Sequence, residues 1–286
     1  MAPTSRRLPA THGLSLHALE WSTDGTLLLF LHGFGNDAHV WDWVAPAVAP
    51  HYRVVALDHR GHGQSDRDPE ARYDHETMAR DVASALESLG AERAVIVGHS
   101  LGGRVAMRFA GLWPEKLAGL VIVDSAPELD ARGTTRIRLD VQQQEPTFAS
   151  LADYERVLAR QYPATRPEIL AKLAVPWTRR RDDGRLELRL DPAFMRGRRG
   201  VSEEELARWS AEEAKHLWSA LEKLPCPALV VRGAASDVLS ADVADKMADD
   251  VLKQGKLAVI PRAGHSVMLD NPEAFEQALA AFVLGE

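Results

Sequence analysis

Apolar residues fall into two alternating rhythms along this chain. The first is short unbroken runs at residues 26–31, 53–57, 94–97, 117–123, 227–233 and 257–260. These are too short for buried helices and are rich in Val, Ile and Leu, so they predict strands inside a covered sheet. The second is longer stretches with one apolar face. Residues 38–48 carry Trp41, Val44 and Val48, and residues 77–89 carry Met78, Val82, Ala85 and Leu89. The stretch after residue 100 carries Val105, Ala106, Phe109 and Ala110, and residues 272–284 carry Phe275, Leu279 and Phe282, with Pro272 in the first turn. Each predicts an amphipathic helix. Residues 14–21 alternate loosely and predict an antiparallel edge strand, followed by a turn at Asp24-Gly25. Strand alternating with helix means an α/β protein whose mostly parallel sheet is covered on both faces.

The rhythm breaks between residues 127 and 224. No buried strand is expected there, only helical patterns at 151–161, 167–174 and 202–221. The expected organisation is therefore a core of residues 1–126 and 225–286, interrupted by a helical lid insertion at 127–224. Two arginine runs, at Arg179-Arg180-Arg181 and among residues 196–199, lie in this insertion with acidic residues mixed in. They read as a solvated face rather than as a patch for anionic substrates.

Composition narrows the function. A chain of 286 residues can bury a sizeable core without staples. A net charge of -7 argues against a nucleic-acid partner. One cysteine, Cys226, rules out an internal disulfide and reads as a buried structural thiol. No Cys/His cluster has metal-ligand spacing, so neither a metal nor a cofactor is expected. The first residues lack an apolar signal region, and no run is long enough to span a membrane, so a cytoplasmic protein acting on a small molecule is expected. A homodimer is compatible with all of this.

Candidate chemistry centres on Gly98-His99-Ser100-Leu101-Gly102. The motif stands between a predicted strand and a predicted helix with no room for a loop, which is the setting of a nucleophile elbow. A tight turn there pushes out the Ser100 hydroxyl and leaves helix N–H groups behind it, suited to an oxyanion. Serine is a poor nucleophile without a base, and the base needs a carboxylate to fix its tautomer. Working residues of such sheets follow the carboxyl ends of strands. His265 follows the last strand, and Asp237 follows the strand before it; Asp124 also ends a strand and competes. The order Ser, Asp, His and the later-strand position favour Asp237. The oxyanion donors are expected to be the N–H groups of Leu101 and Phe34, with His32 bracing the Phe34 loop.

The motifs His32-Gly33-Phe34-Gly35, residues 58–65, residues 98–103, residues 233–237 and Gly264-His265 together resemble the α/β-hydrolase superfamily. More narrowly they resemble its lid-bearing group of small bacterial esterases, epoxide hydrolases, haloperoxidase-like enzymes and C–C bond hydrolases. The resemblance implies an eight-stranded sheet with a helical lid, and Ser100, His265 and Asp237 as nucleophile, base and acid. Epoxide hydrolases and haloalkane dehalogenases of that superfamily carry an aspartate at the elbow. Ser100 therefore excludes those activities.

The expected reaction is hydrolysis of a carboxylic ester through an acyl-enzyme on Ser100. A pocket is expected between lid and core, drawn from Phe34, Trp41, Trp43, Leu101, Arg104, Asp124, Trp177 and Met268. Within the same chemistry, a lactonase or a C–C hydrolase of diketo acids remains open, the latter with Arg104 at the substrate carboxylate, and peroxide could replace water on the acyl-enzyme. A non-catalytic small-molecule binder on this fold is the reading from another class.

Overall fold

The computed structural model describes residues 2–143, 145, 147–195 and 202–285. The strands along the chain are β1 (Thr4–Pro9), β2 (Ser15–Glu20), β3 (Leu27–Leu31), β4 (Arg53–Leu57), β5 (Ala94–His99), β6 (Leu117–Val123), β7 (Thr147–Phe148), β8 (Thr178–Arg180), β9 (Leu186–Leu188), β10 (Ala228–Gly233) and β11 (Gly255–Ile260). The helices are α1 (Ala45–Val48), α2 (His75–Ser88), α3 (Leu101–Leu112), α4 (Ala131–Gln142), α5 (Leu151–Gln161), α6 (Pro167–Ala174), α7 (Pro192–Met195), α8 (Glu203–Glu222), α9 (Ala241–Asp245), α10 (Val267–Asp270) and α11 (Pro272–Leu284).

Eight strands form one sheet in the order β1-β2-β4-β3-β5-β6-β10-β11. The β1/β2 and β2/β4 pairs are antiparallel, and from β4 to β11 every pair is parallel. Side chains alternate across the sheet, so each strand feeds two cores. Leu27, Leu29 and Leu31 of β3 join Met78 and Val82 of α2 and Phe109 of α3 on one face. Leu28 and Phe30 join Trp41, Val44, Phe275 and Leu279 on the other. This is the mostly parallel α/β sheet, covered on both faces, that the apolar runs predict.

Three local expectations need correction. Residues 14–21 do not form the edge strand, because β1 lies outside β2. In β1 only Leu8 is buried, so its Ser, Arg and Pro residues give no strand signal, as suits a protected sheet edge. Residues 38–48 are not one helix but a 3-10 turn at Ala38–Trp41 followed by α1, with Pro46 opening the second piece. The segment between β6 and β10 is not purely helical: β7, β9 and β8 make a small antiparallel sheet. Its β8 has sequence Thr-Arg-Arg with two exposed positions, which no burial pattern could reveal.

The same segment holds α4, whose only buried residue is Gly133 and which therefore sends no apolar side chain into the core. Arg179 and Arg181 pair with Glu187, and Arg181 also with Asp183, so the first arginine run is a solvated, internally paired face. The second run, residues 196–199, lies outside the described residues. Cys226 is buried, and burial pushes its thiol up to about 11.

Candidate active site

The turn from β5 into α3 carries Ser100 at φ 52° and ψ -113°. Positive φ is strained for a side chain of this kind and persists only where the surroundings enforce it. Here glycines allow it. A Cβ on Gly98 would overlap the Gly102 carbonyl, and one on Gly102 would overlap the Leu31 carbonyl. The Ser100 N–H is meanwhile fixed on the Val123 carbonyl at 3.0 Å.

Ser100 Oγ lies 3.0 Å from His265 Nε2, and His265 Nδ1 lies 2.8 Å from Asp124 Oδ2. A carboxylate can only accept, so Nδ1 carries the proton and the Nε2 lone pair faces the serine hydroxyl. Asp124 is fully buried at the end of β6. Besides the imidazole it accepts from the Gly233 N–H at 3.1 Å and from the Ser236 hydroxyl at 2.6 Å. Three donors thus satisfy a carboxylate that water does not reach.

Asp237, the expected acid, stands elsewhere. Arg136 of α4 grips its carboxylate with two parallel bonds, Nε to Oδ2 at 2.7 Å and Nη2 to Oδ1 at 2.9 Å, and this guanidinium holds the carboxyl below its usual range. The backbone is committed too: the Gly133 N–H donates to the Asp237 carbonyl at 2.9 Å, and the Asp130 N–H to the Val238 carbonyl at 2.9 Å. The loop after β10 reaches Asp124 with its serine, Ser236, and turns its aspartate toward α4.

The motif pattern gives His99 no role, yet it backs His265. Its Nε2 donates to the His265 carbonyl at 2.9 Å, with the two rings 4.8 Å apart. Burial, with His265 beside it, holds its pKa far below the usual imidazole value, so it serves as a neutral brace. Asp270 fixes the other side of the same loop, accepting from the Gly264 N–H at 2.9 Å and the Thr165 hydroxyl at 2.6 Å. Its position at the end of α10 carries no sequence signal.

The loop after β3 carries Phe34. His32 braces it: the His59 N–H donates to His32 Nε2 at 2.9 Å, so His32 Nδ1 carries a proton and donates to the Gly33 carbonyl at 2.7 Å. Leu101 opens α3. Among the described residues, neither the Phe34 nor the Leu101 N–H donates to a backbone or side-chain acceptor.

A cavity of about 410 Å³ opens over Ser100 and His265. Phe34 and Trp177 line it as expected, and Leu158, Tyr162 and Leu190 come from the inserted segment. Six expected pocket residues, Trp41, Trp43, Leu101, Arg104, Asp124 and Met268, are not among its lining; Asp124 lies behind His265 instead. Trp41 is fully buried and stacks on Phe30 at 4.7 Å, while Met268 is fully buried in the same core. Trp43 packs against that core from its edge. Arg104 donates to the Ala126 and Pro127 carbonyls at 2.9 and 3.0 Å. Helical spacing after the elbow could not tell this turn-capping contact from a pocket cation.

Trp177 is oriented by Asp37, which accepts from its Nε1–H at 3.0 Å and from the His39 N–H at 2.9 Å. Burial, reinforced by nearby Asp58, raises the Asp37 carboxyl to about 7, against the opposing pull of His39. A carboxyl raised on folding takes up a proton, so stability is full below the unfolded value near 4 and is lost as pH rises through the folded value. Asp37→Asn keeps the acceptor oxygen and removes the ionisation. Its unfolding free energy relative to wild type, from urea unfolding, is expected to rise steadily between pH 5 and 7, by at most about 1.4 kcal/mol per pH unit. A pH-independent difference would contradict a raised carboxyl.

Among the described residues there is no group of three or more His, Cys, Asp or Glu placed to hold a metal ion, and no helix long and apolar enough to cross a membrane.

Comparison with known proteins agrees with the fold. A family model described as the alpha/beta hydrolase fold matches residues 26–272. The chain is 27% identical over 259 residues to a 2-(acetamidomethylene)succinate hydrolase of Mesorhizobium japonicum, covering 91% of this chain and 88% of that protein. It is 28% identical over 270 residues to an esterase of Mycobacterium tuberculosis, covering 91% and 83%. A crystal structure of E-2-(acetamidomethylene)succinate hydrolase superposes with a TM-score of 0.85 over 98% of this chain and 99% of that one, at 27% identity.

Proposed function

The chain belongs to the alpha/beta hydrolase fold family, and from the geometry of its site we propose that it is a serine hydrolase of carboxylic esters, with Ser100 as nucleophile, His265 as base and Asp124 as acid. One observation carries this reading: the unbroken line from Ser100 Oγ to His265 Nε2 at 3.0 Å and from His265 Nδ1 to Asp124 at 2.8 Å. Relatives named hydrolase and esterase support the reaction class.

In this mechanism Ser100 Oγ attacks the ester carbonyl as His265 Nε2 takes its proton. The imidazolium forms against Asp124, whose buried charge offsets it. The carbonyl oxygen becomes an oxyanion and accepts from the uncommitted N–H groups of Phe34 and Leu101. The tetrahedral centre collapses, the C–O bond to the alcohol breaks, and His265 returns the proton to the leaving oxygen. Water then attacks the acyl-enzyme by the same route and releases the carboxylic acid. Residues 127–224 act in this reading as a lid, because they supply Leu158, Tyr162, Trp177 and Leu190 to the cavity walls.

Arg104 is spent on the Ala126 and Pro127 carbonyls, so it is not the cation that the C–C hydrolase alternative calls for. Hydrolysis of p-nitrophenyl esters from acetate to decanoate tests the proposal. Wild type is expected to turn over at least one chain length, with a loss of about 10⁴-fold or more in kcat for Ser100→Ala. Folded wild type inert toward the whole series would count against an esterase and favour the non-catalytic binder.

A further inference from the structure

We propose that the substrate carries a carboxylate away from the scissile carbonyl and that Arg160 receives it. This rests on the serine-hydrolase reading above and adds the chemical class of the ester. It follows from the polar accounting of the cavity over Ser100. Three carboxylates line that cavity, Asp140, Asp237 and Asp270, and each already has donors within the protein. Asp237 has both oxygens on Arg136. Asp140 faces Nη1 of the same guanidinium at 3.4 Å. Asp270 accepts from the Gly264 N–H and the Thr165 hydroxyl.

The two cavity arginines differ in the opposite way. Arg136 is consumed by Asp237 and Asp140. Arg160, in the last turn of α5, lines the cavity with an exposed side chain and has no carboxylate partner among the described residues. A guanidinium presents five donors in a fork that fits a carboxylate. The rest of the lining suits the remainder of such a substrate, because Ile137, Leu158, Trp177 and Leu188 give the cavity an apolar side. The ligand is therefore an amphipathic ester, with an apolar stretch between the reacting carbonyl and the anionic group.

Two pairs of esters test this, one for each place the carboxylate can sit. p-Nitrophenyl hydrogen glutarate against p-nitrophenyl valerate places it on the acyl side. 3-Carboxyphenyl valerate against phenyl valerate places it on the alcohol side. In one pair the charged ester is expected to have the higher kcat/KM, through a lower KM, by about tenfold for one exposed charge-assisted contact. The preference should shrink as salt rises from about 50 to about 500 mM.

Arg160→Gln is expected to lower kcat/KM for the favoured charged ester about tenfold more than for its neutral partner, and Arg160→Glu to invert the preference. Equal losses on charged and neutral esters would make Arg160 a structural residue and overturn the proposal. So would a preference for the neutral ester in both pairs. In either case Ser100-dependent turnover of the neutral esters would leave the serine-hydrolase reading standing. No turnover of any of the four esters, with Ser100 also unreactive toward a fluorophosphonate, would overturn both.

Discussion

Asp124→Asn is expected to lower kcat on a turned-over ester by about 10⁴-fold, while Asp237→Asn lowers it by less than about tenfold. The first figure follows from the job of the carboxylate. The substituted side chain would present an amide whose oxygen and nitrogen must share the Gly233 N–H, the Ser236 hydroxyl and His265 Nδ1, all of which now face carboxylate oxygens. The imidazole is then held in the wrong tautomer or loses the charge that offsets its protonated form, a loss of about 10⁴ in serine hydrolysis generally. The second figure follows from distance in the network. Asp237 makes its contacts to Arg136 and to the start of α4, so its loss loosens the insertion without touching the hydrogen bonds of Ser100, His265 and Asp124. The paired measurement is kcat for both variants at saturating substrate. The reverse ranking would return the acid to Asp237.

That pair also shows where sequence reasoning reaches its limit. Ser100 and His265 are legible because each is pinned by its own neighbours: the glycines around the elbow, and a lone histidine directly after the last parallel run. The acid is not legible in that way. Asp124 and Asp237 both follow strands, and β6 and β10 are neighbours in the sheet, so either loop can reach the histidine from its strand end. The choice is made by α4, which captures Asp237 through Arg136. That helix buries no apolar side chain, because it packs by the close approach of Gly133 to the Asp237 and Val238 loop. A helix held by a glycine contact, backbone hydrogen bonds and an ion pair leaves no core-facing hydrophobic period to read. The pocket is poorly legible for a related reason: tryptophans of the core and of the cavity have the same sequence signature, and of the three expected there only Trp177, on the insertion, lines the cavity.

Arg60→Ala is expected to cost about 3–5 kcal/mol of folding free energy, the range for removing one partner from a buried charge network. Arg60 is fully buried with all five of its N–H donors engaged. Nε and Nη2 hold Asp81 of α2 at 2.6 and 2.7 Å, Nη2 also holds the Thr11 hydroxyl at 2.7 Å, and Nη1 holds Asp68 at 2.8 Å and the Arg72 carbonyl at 3.2 Å. The side chain therefore ties the loop after β4 to α2 and to the segment between β1 and β2. Its removal strands Asp81 inside the protein, where Thr11 alone remains to it.

Arg60→Lys is expected to recover less than half of the loss, because an ammonium has three donors on one atom and cannot span both carboxylates. The same loop carries His59, whose N–H holds His32 and so the Phe34 turn. Activity should therefore fall at temperatures well below the global midpoint. Urea unfolding checks the energy: a cost below about 1 kcal/mol for Arg60→Ala would show that the network is dispensable.

In the proposed mechanism Ser100 is a nucleophile activated by His265, which Asp124 orients. Intact-protein mass spectrometry after treatment with a fluorophosphonate, with peptide mapping of the adduct, tests it most directly. One phosphonyl group per chain is expected, located on Ser100, absent from Ser100→Ala, and formed at least about 10²-fold more slowly in Asp124→Asn, since the reaction needs the same base. A folded wild type that stays unlabelled, or an adduct on a residue other than Ser100, would contradict it.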